Sequence, residues 1–207
     1  MKKYILTIDA GTTGVTVIVI DKKLNIITKY YKELNQYHPK AGWVEHDPME
    51  LIDKINSILD KIKKTISFKN ITSIGITNQR ESVILWDKIT GKPIYNMIVW
   101  QCSRTKDYCT RLNKDYKNII FNKTGLYIDS YFSATKINWL LNQEPALIDR
   151  QNIDNLIVGT VDSWIIWNLT NERNHLTDFT NASRTMIYNI NNKEWDKDLL
   201  EIFDIPI

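Results

Sequence analysis

Cysteine is almost absent from this chain. Cys102 and Cys109 are the only two in 207 residues, and the six residues between them fit neither a zinc pair nor a redox pair. That excludes a disulfide framework or a zinc ribbon as the organising device, and two reduced thiols in a reducing compartment are expected. Histidine is equally scarce. His38 and His46 have no third ligand near them, so a structural role is expected for each. Long apolar runs are missing too: the best candidate, Leu156 to Leu169, is broken by Asp162 and is too short and too polar to cross a bilayer. The opening Met1-Lys2-Lys3 leads straight into a strand-like run with no signal-peptide core. A cytoplasmic protein with no membrane partner is therefore expected. Nor is charge of one sign concentrated, for 27 Lys and Arg stand against 24 Asp and Glu, with the lysines scattered among the acids. Without a basic stripe, nucleic acid is not an expected partner.

What is present is a chain long enough for one good core and a possible appended subdomain. It opens on Tyr4-Ile5-Leu6-Thr7-Ile8-Asp9-Ala10-Gly11-Thr12-Thr13-Gly14, followed by the apolar run Val15 to Ile20. This reads as strand, turn, strand. A carboxylate at the first strand's end suits a hydrated Mg²⁺, and a Gly-Thr-Thr turn offers N–H groups and hydroxyls to phosphate oxygens. It is no Walker loop, because G-x-x-x-x-G-K-[ST] is missing and a strand rather than a helix follows. The same residues fit an ordinary hairpin whose glycines permit positive φ, and the stretch alone does not choose between the two.

Further along, Ile26 to Leu34 alternates well enough for a third strand, which makes a meander. Tyr37 to His46 has a proline, a glycine and no period, so it reads as a loop packed down by Trp43. Asp47-Pro48-Met49-Glu50 is a helix start, and Leu51, Ile52, Ile55, Ile58, Leu59 and Ile62 carry its apolar stripe to about Lys64. Ile71 to Thr77 then reads as a buried strand running parallel to a neighbour, giving a β-β-β-α-β order. At its end stand Asn78-Gln79-Arg80-Glu81, where an α/β sheet gathers ligand-handling side chains. Arg80 and Glu81 suit polyol hydroxyls, and they equally suit a surface ion pair. Trp100 suits a pocket wall or a core position alike. Pro93 to Trp100 reads as extended, Arg104 to Asn113 as helical, and Ser133 to Asn142 as a helix with Ser133 as cap and Pro145 barring its continuation. A strand-like start at Leu156 and a helix over Ser163 to Asn168 follow. Thr177 to Thr185 is too polar for a core element and too specific for a linker, and Trp195 to Phe203 is a short helix with Asp196 as cap.

Taken together, these residues resemble the N-terminal part of the FGGY carbohydrate kinase family. The resemblance runs through Asp9-Ala10-Gly11-Thr12-Thr13, Gly42-Trp43-Val44-Glu45-His46-Asp47-Pro48, Gly75 to Glu81, Gly91 to Asn96, Val99-Trp100-Gln101, Tyr131 to Trp139 and Asp178 to Thr185, and it covers the whole chain. The Asn78-Gln79-Arg80-Glu81 and Gly42 to Pro48 strings point to the glycerol kinases within it. The resemblance implies an α/β, actin-like and ribonuclease H-like fold over residues 1–207 as an N-terminal glycerol-binding domain, incomplete at its C-terminal end. It implies ATP and Mg²⁺ as cofactors and ATP-dependent phosphorylation of glycerol to glycerol 3-phosphate.

By the same resemblance Arg80 and Glu81 hold the glycerol hydroxyls, Trp100 lies along its carbons, Tyr131 completes the site, Asp9 serves the Mg²⁺, and Thr12, Thr13 and Gly14 face the transferring phosphoryl group. The family's general-base Asp and its nucleotide-binding domain are expected beyond Ile207, so this chain contains no residue for that role. The missing half, in cis or in trans, becomes an expected partner, and a homo-oligomer is expected. The isolated chain is expected to be inactive, with an apolar edge left exposed. Glycerol kinases commonly carry an Arg two residues after the position of Gly14, where this chain has Thr16. Two other readings are an inactive remnant acting as a binding module and a kinase for another polyol or sugar.

Overall fold

The computed structural model describes residues 3–142, 154–170 and 173–206. Along the chain run β1 (Tyr4–Ala10), β2 (Gly14–Asp21), β3 (Ile26–Glu33), β4 (Glu45–His46), α1 (Pro48–Lys63), β5 (Ile71–Asn78), β6 (Ile84–Asp87), β7 (Met97–Ile98), α2 (Lys106–Asp115), α3 (Lys117–Thr124), α4 (Ser133–Asn142), β8 (Leu156–Gly159), α5 (Val161–Leu169), α6 (Phe179–Ala182), β9 (Tyr188–Asn189), β10 (Glu194–Trp195) and α7 (Lys197–Ile202). They fall into two compact units, Met1–Gln36 with His46–Gln79, and Tyr37–Glu45 with Arg80–Ile207.

The first unit is a four-stranded sheet in the order β3-β2-β1-β5, with β1 antiparallel to β2 and parallel to β5. The parallel pair requires a crossover, and α1 supplies it. Alternation decides the faces: Leu6, Ile8 and Ala10 of β1 and Val15, Val17 and Val19 of β2 are buried, and so are Leu51, Ile52, Ile55, Ile58 and Ile62 of α1. α1 starts where Asp47 accepts a hydrogen bond from the Met49 N–H at 2.7 Å and Pro48 takes a position that needs no donor. The β-β-β-α-β order is as expected, but β5 is not a buried strand. It is exposed over most of its length, with Ile74 at 52%. Among the described residues β5 is the sheet's edge and pairs with β1 alone. An apolar sequence sets strand propensity, not whether both faces are covered.

In the second unit, β6 pairs antiparallel with β8 and β9 with β10. Its core gathers Val83, Leu85, Ile98, Ile120, Ile137, Leu140, Leu199 and Phe203 among others, while a fully buried Trp86 meets Trp164 and Trp167 edge-on at 5.2 and 5.8 Å. Within the extended run expected over Pro93 to Trp100, only Met97–Ile98 is a regular strand. α2 begins at Lys106 instead of Arg104, because Arg104 is drawn into an ion pair with buried Glu45 at 2.5 Å, its guanidinium lying over Trp43 and Trp139. The polar tract from Thr177 contains α6, capped by Asp178 through the Asn181 N–H at 2.7 Å, and it buries Asn181, Ala182 and Thr185. Internal capping is what lets so polar a segment reach the interior. Pro145 lies outside the described residues.

Candidate functional site

Asp9 is exposed at the end of β1, directly across from Thr16 of β2 on one side and Thr77 of β5 on the other. The turn after it is tight: the Gly11 N–H donates to the Gly14 carbonyl at 3.0 Å, so that group is committed within the turn. Thr12 is half-buried and Thr13 is exposed. The glycines are not there for positive φ, which neither adopts. Space is the reason, because a Cβ on Gly14 would stand 2.5 Å from the Lys32 carbonyl oxygen and 2.6 Å from the Tyr31 ring. Among the described residues no cluster of three His, Cys, Asp or Glu could hold a metal. A lone exposed carboxylate still fits Mg²⁺, which keeps several waters and rests on one or two carboxylates plus phosphate oxygens.

Gln79 ties the turn down from β5's end. Its N–H donates to the Ala10 carbonyl at 2.8 Å, and its side-chain amide reaches the Gly11 carbonyl at 3.4 Å and His46 Nδ1 at 3.2 Å. Burial pushes the His46 imidazole down to about 4, so it is neutral at physiological pH. Among the described residues neither His38 nor His46 belongs to a metal cluster, and His38 Nδ1 instead meets the Trp43 carbonyl at 3.2 Å.

The second unit holds the other candidates. Glu81 is 2% exposed and sits at φ 65°, a left-handed conformation that non-glycine residues adopt at a cost of about 1–3 kcal/mol and that gathers at functional sites. Its carboxylate does not pair with its neighbour. Arg184 Nε donates to Glu81 Oε1 at 2.6 Å, while Arg80 is exposed. The surface ion pair considered for Arg80 and Glu81 is thus replaced by a partly buried one with a residue 103 positions on. The neighbouring segments are tied together: the Ser133 hydroxyl donates to the Glu81 carbonyl at 3.1 Å, the Trp100 N–H to the Ser82 hydroxyl at 3.1 Å, and the Ala134 N–H to the Thr185 carbonyl, one residue beyond Arg184, at 2.8 Å. Ser133, the first residue of α4, thus links the start of that helix to the Glu81 backbone.

Beside them the Trp100 and Tyr131 rings, both half-buried, stand 5.3 Å apart. The Arg184 guanidinium lies 4.8 Å from the Phe132 ring and 5.8 Å from Tyr131. Glu81, Trp100 and Tyr131 thus lie near one another, gathered by Arg184, which sequence reasoning missed. Its signal was the unexplained polar tract from Thr177 to Thr185. A separate cavity of about 560 Å³, lined by Val83, Ile137, Val158, Leu200 and Ile205 among others, is mainly apolar and suits a polyol less well.

Residues 4–207 match the N-terminal domain of the FGGY family of carbohydrate kinases. The chain belongs to that family. It is 50% identical over 210 residues to the glycerol kinase of Francisella philomiragia and 52% identical over 213 residues to that of Clostridium perfringens, in both cases over 100% of this chain and 42% of the relative. It therefore spans about two fifths of the length of these curated relatives and corresponds to their N-terminal part. Among solved structures, Plasmodium falciparum glycerol kinase with ADP superposes with a TM-score of 0.90 at 41% identity, covering 98% of this chain and 41% of that one. Gluconate kinase from Lactobacillus acidophilus superposes at 0.87 with 26% identity, over 100% and 40%. The fold is thereby the actin-like, ribonuclease H-like one of the sugar kinases, and no helix among the described residues is long and apolar enough to cross a membrane.

Proposed function

We propose that this chain supplies the polyol site and the first phosphate turn of an ATP-dependent kinase that converts glycerol to glycerol 3-phosphate. The observation that carries the reading is Glu81, a buried carboxylate in a strained backbone conformation, held by Arg184 beside the Trp100–Tyr131 pair. A fixed acceptor beside aromatic walls is what a small polyol needs, since hydroxyls pair with the carboxylate and C–H faces lie on the rings. Arg80 contributes donors to the hydroxyls, and Trp100 and Tyr131 bound the carbons. In the first unit Thr12, Thr13 and Gly14 would offer their N–H groups and hydroxyls to the phosphate, and Asp9 would hold Mg²⁺. Bound Mg²⁺-ATP supplies the phosphoryl group and charge neutralisation, and the chain's own contribution is positioning and electrostatics.

The general base and the nucleotide-binding domain belong to the part of the relatives that this chain does not span. That part of the relatives is then needed for turnover, and residues 1–207 by themselves release no ADP. Loss of a general base alone removes about 10²–10⁴-fold, and loss of the nucleotide platform removes the positioning. The test is glycerol-dependent ADP formation by the purified chain, alone and with the remaining part of a related glycerol kinase supplied in trans. Activity only in the mixture, with glycerol preferred over gluconate and xylulose, is expected. Turnover by the chain alone, or a mixture that prefers a sugar acid or ketose, overturns the assignment.

A further inference from the structure

Lys136 is completely buried within α4, three residues into a helix whose first turn disfavours cations. Its ammonium has no carboxylate in ion-pair range among the described residues. It donates instead to two consecutive main-chain carbonyls ahead of the helix, Tyr131 at 2.6 Å and Phe132 at 2.9 Å. Burying an amine to hold two carbonyls is a poor way to stabilise a helix, because a methionine would fill the space without the desolvation cost. The two residues held explain the choice. Tyr131 carries the ring against Trp100, and Phe132 carries the ring beneath Arg184, which grips Glu81. We propose that Lys136 is a positioning residue for the polyol site, setting through these two carbonyls where the Tyr131 and Phe132 rings stand. The inference deepens the polyol reading above and rests on it.

The charged and titratable groups around the amine are Cys102 in the turn ahead of α2, Cys109 within α2, Glu81 ahead of β6, and Asp129 ahead of α4. Burial outweighs their attraction and pushes the amine down to about 7. As pH rises through 7, the ammonium becomes an amine with one fewer proton and weaker bonds to both carbonyls, so the tether loosens.

The experiment compares the wild-type chain with Lys136→Met, which keeps the volume and removes the cation. Glycerol affinity is measured by protein NMR from pH 6 to 9, together with the contact between the Tyr131 ring and the Trp100 indole and the thermal midpoint. The expected result is affinity about ten-fold weaker in the variant at pH 6, on the scale of losing charge-assisted hydrogen bonds. The wild type's weakening above pH 7 should be absent from the variant, and the thermal midpoint should be retained. Equal affinity and an unchanged pH profile overturn the inference. If the wild type itself binds no glycerol, the polyol reading fails and the ring contact decides about Lys136. Loss of the Tyr131–Trp100 contact in a folded variant still supports positioning, and its persistence refutes it.

Discussion

Replacing Arg184 by methionine removes the partner of a carboxylate that is 2% exposed. Truncating one side of a fully buried ion pair costs roughly 3–5 kcal/mol. Here the Arg184 side chain is 29% exposed, so water can enter the vacated place and solvate part of Glu81, which lowers the expected cost to about 2 kcal/mol. Loss of the guanidinium from above the Phe132 ring adds about 0.5 kcal/mol. For a chain of this size, with roughly 2–4 °C per kcal/mol, the thermal midpoint should fall by about 5–10 °C. Glu81→Gln, which leaves Arg184 a neutral acceptor, should cost less, and the double variant should be more stable than the sum of the two losses, with a coupling of about 1–2 kcal/mol. Urea denaturation of all four proteins measures these terms. A loss below about 0.5 kcal/mol for Arg184→Met, within the range of neutral surface changes, would refute the argument. So would Arg80→Ala costing more than Arg184→Met, for Arg80 would then be the true partner of Glu81.

Arg80→Ala should leave stability within about 0.5 kcal/mol but raise the glycerol KM of the reconstituted kinase, and an unchanged KM and kcat would remove Arg80 from the site. Asp9→Asn should spare glycerol binding and depress Mg²⁺-dependent turnover, and equal loss of both would count against the metal role. Gly14→Ala drives a methyl to 2.5 Å from the Lys32 carbonyl oxygen, and a destabilisation of about 1–3 kcal/mol is expected from chemical denaturation. His46 binds its proton less readily in the fold, at about 4, than at its ordinary 6.5, so the unfolded chain takes up the extra proton between those values. Stability should therefore fall by about 3 kcal/mol as pH drops from 6.5 to 4, and His46→Gln should flatten that part of the profile.

Local sequence determined the elements whose causes are local. The alternation of Leu6, Ile8 and Ala10 with Val15, Val17 and Val19, the Asp47-Pro48 start and the period of α1 placed the meander and its crossover helix, because side-chain direction repeats every two or 3.6 residues whatever the rest of the chain does. Glu81, Trp100 and Tyr131 were legible as site candidates from their residue types beside apolar runs and from the family resemblance. Burial and partnership were not legible. β5 is apolar in sequence yet exposed, because covering a strand requires chain from elsewhere. Arg184 meets Glu81 across 103 positions, and no local pattern encodes a contact that two separate segments make only after they have packed. Lys136 stood within the Tyr131 to Trp139 signature, but its burial and its grip on two carbonyls follow from how α4 sits in its unit. The turn after β1 shows the same division: its glycines read from sequence as a licence for positive φ, and only the tertiary structure revealed that at Gly14 the reason is the approach of β3.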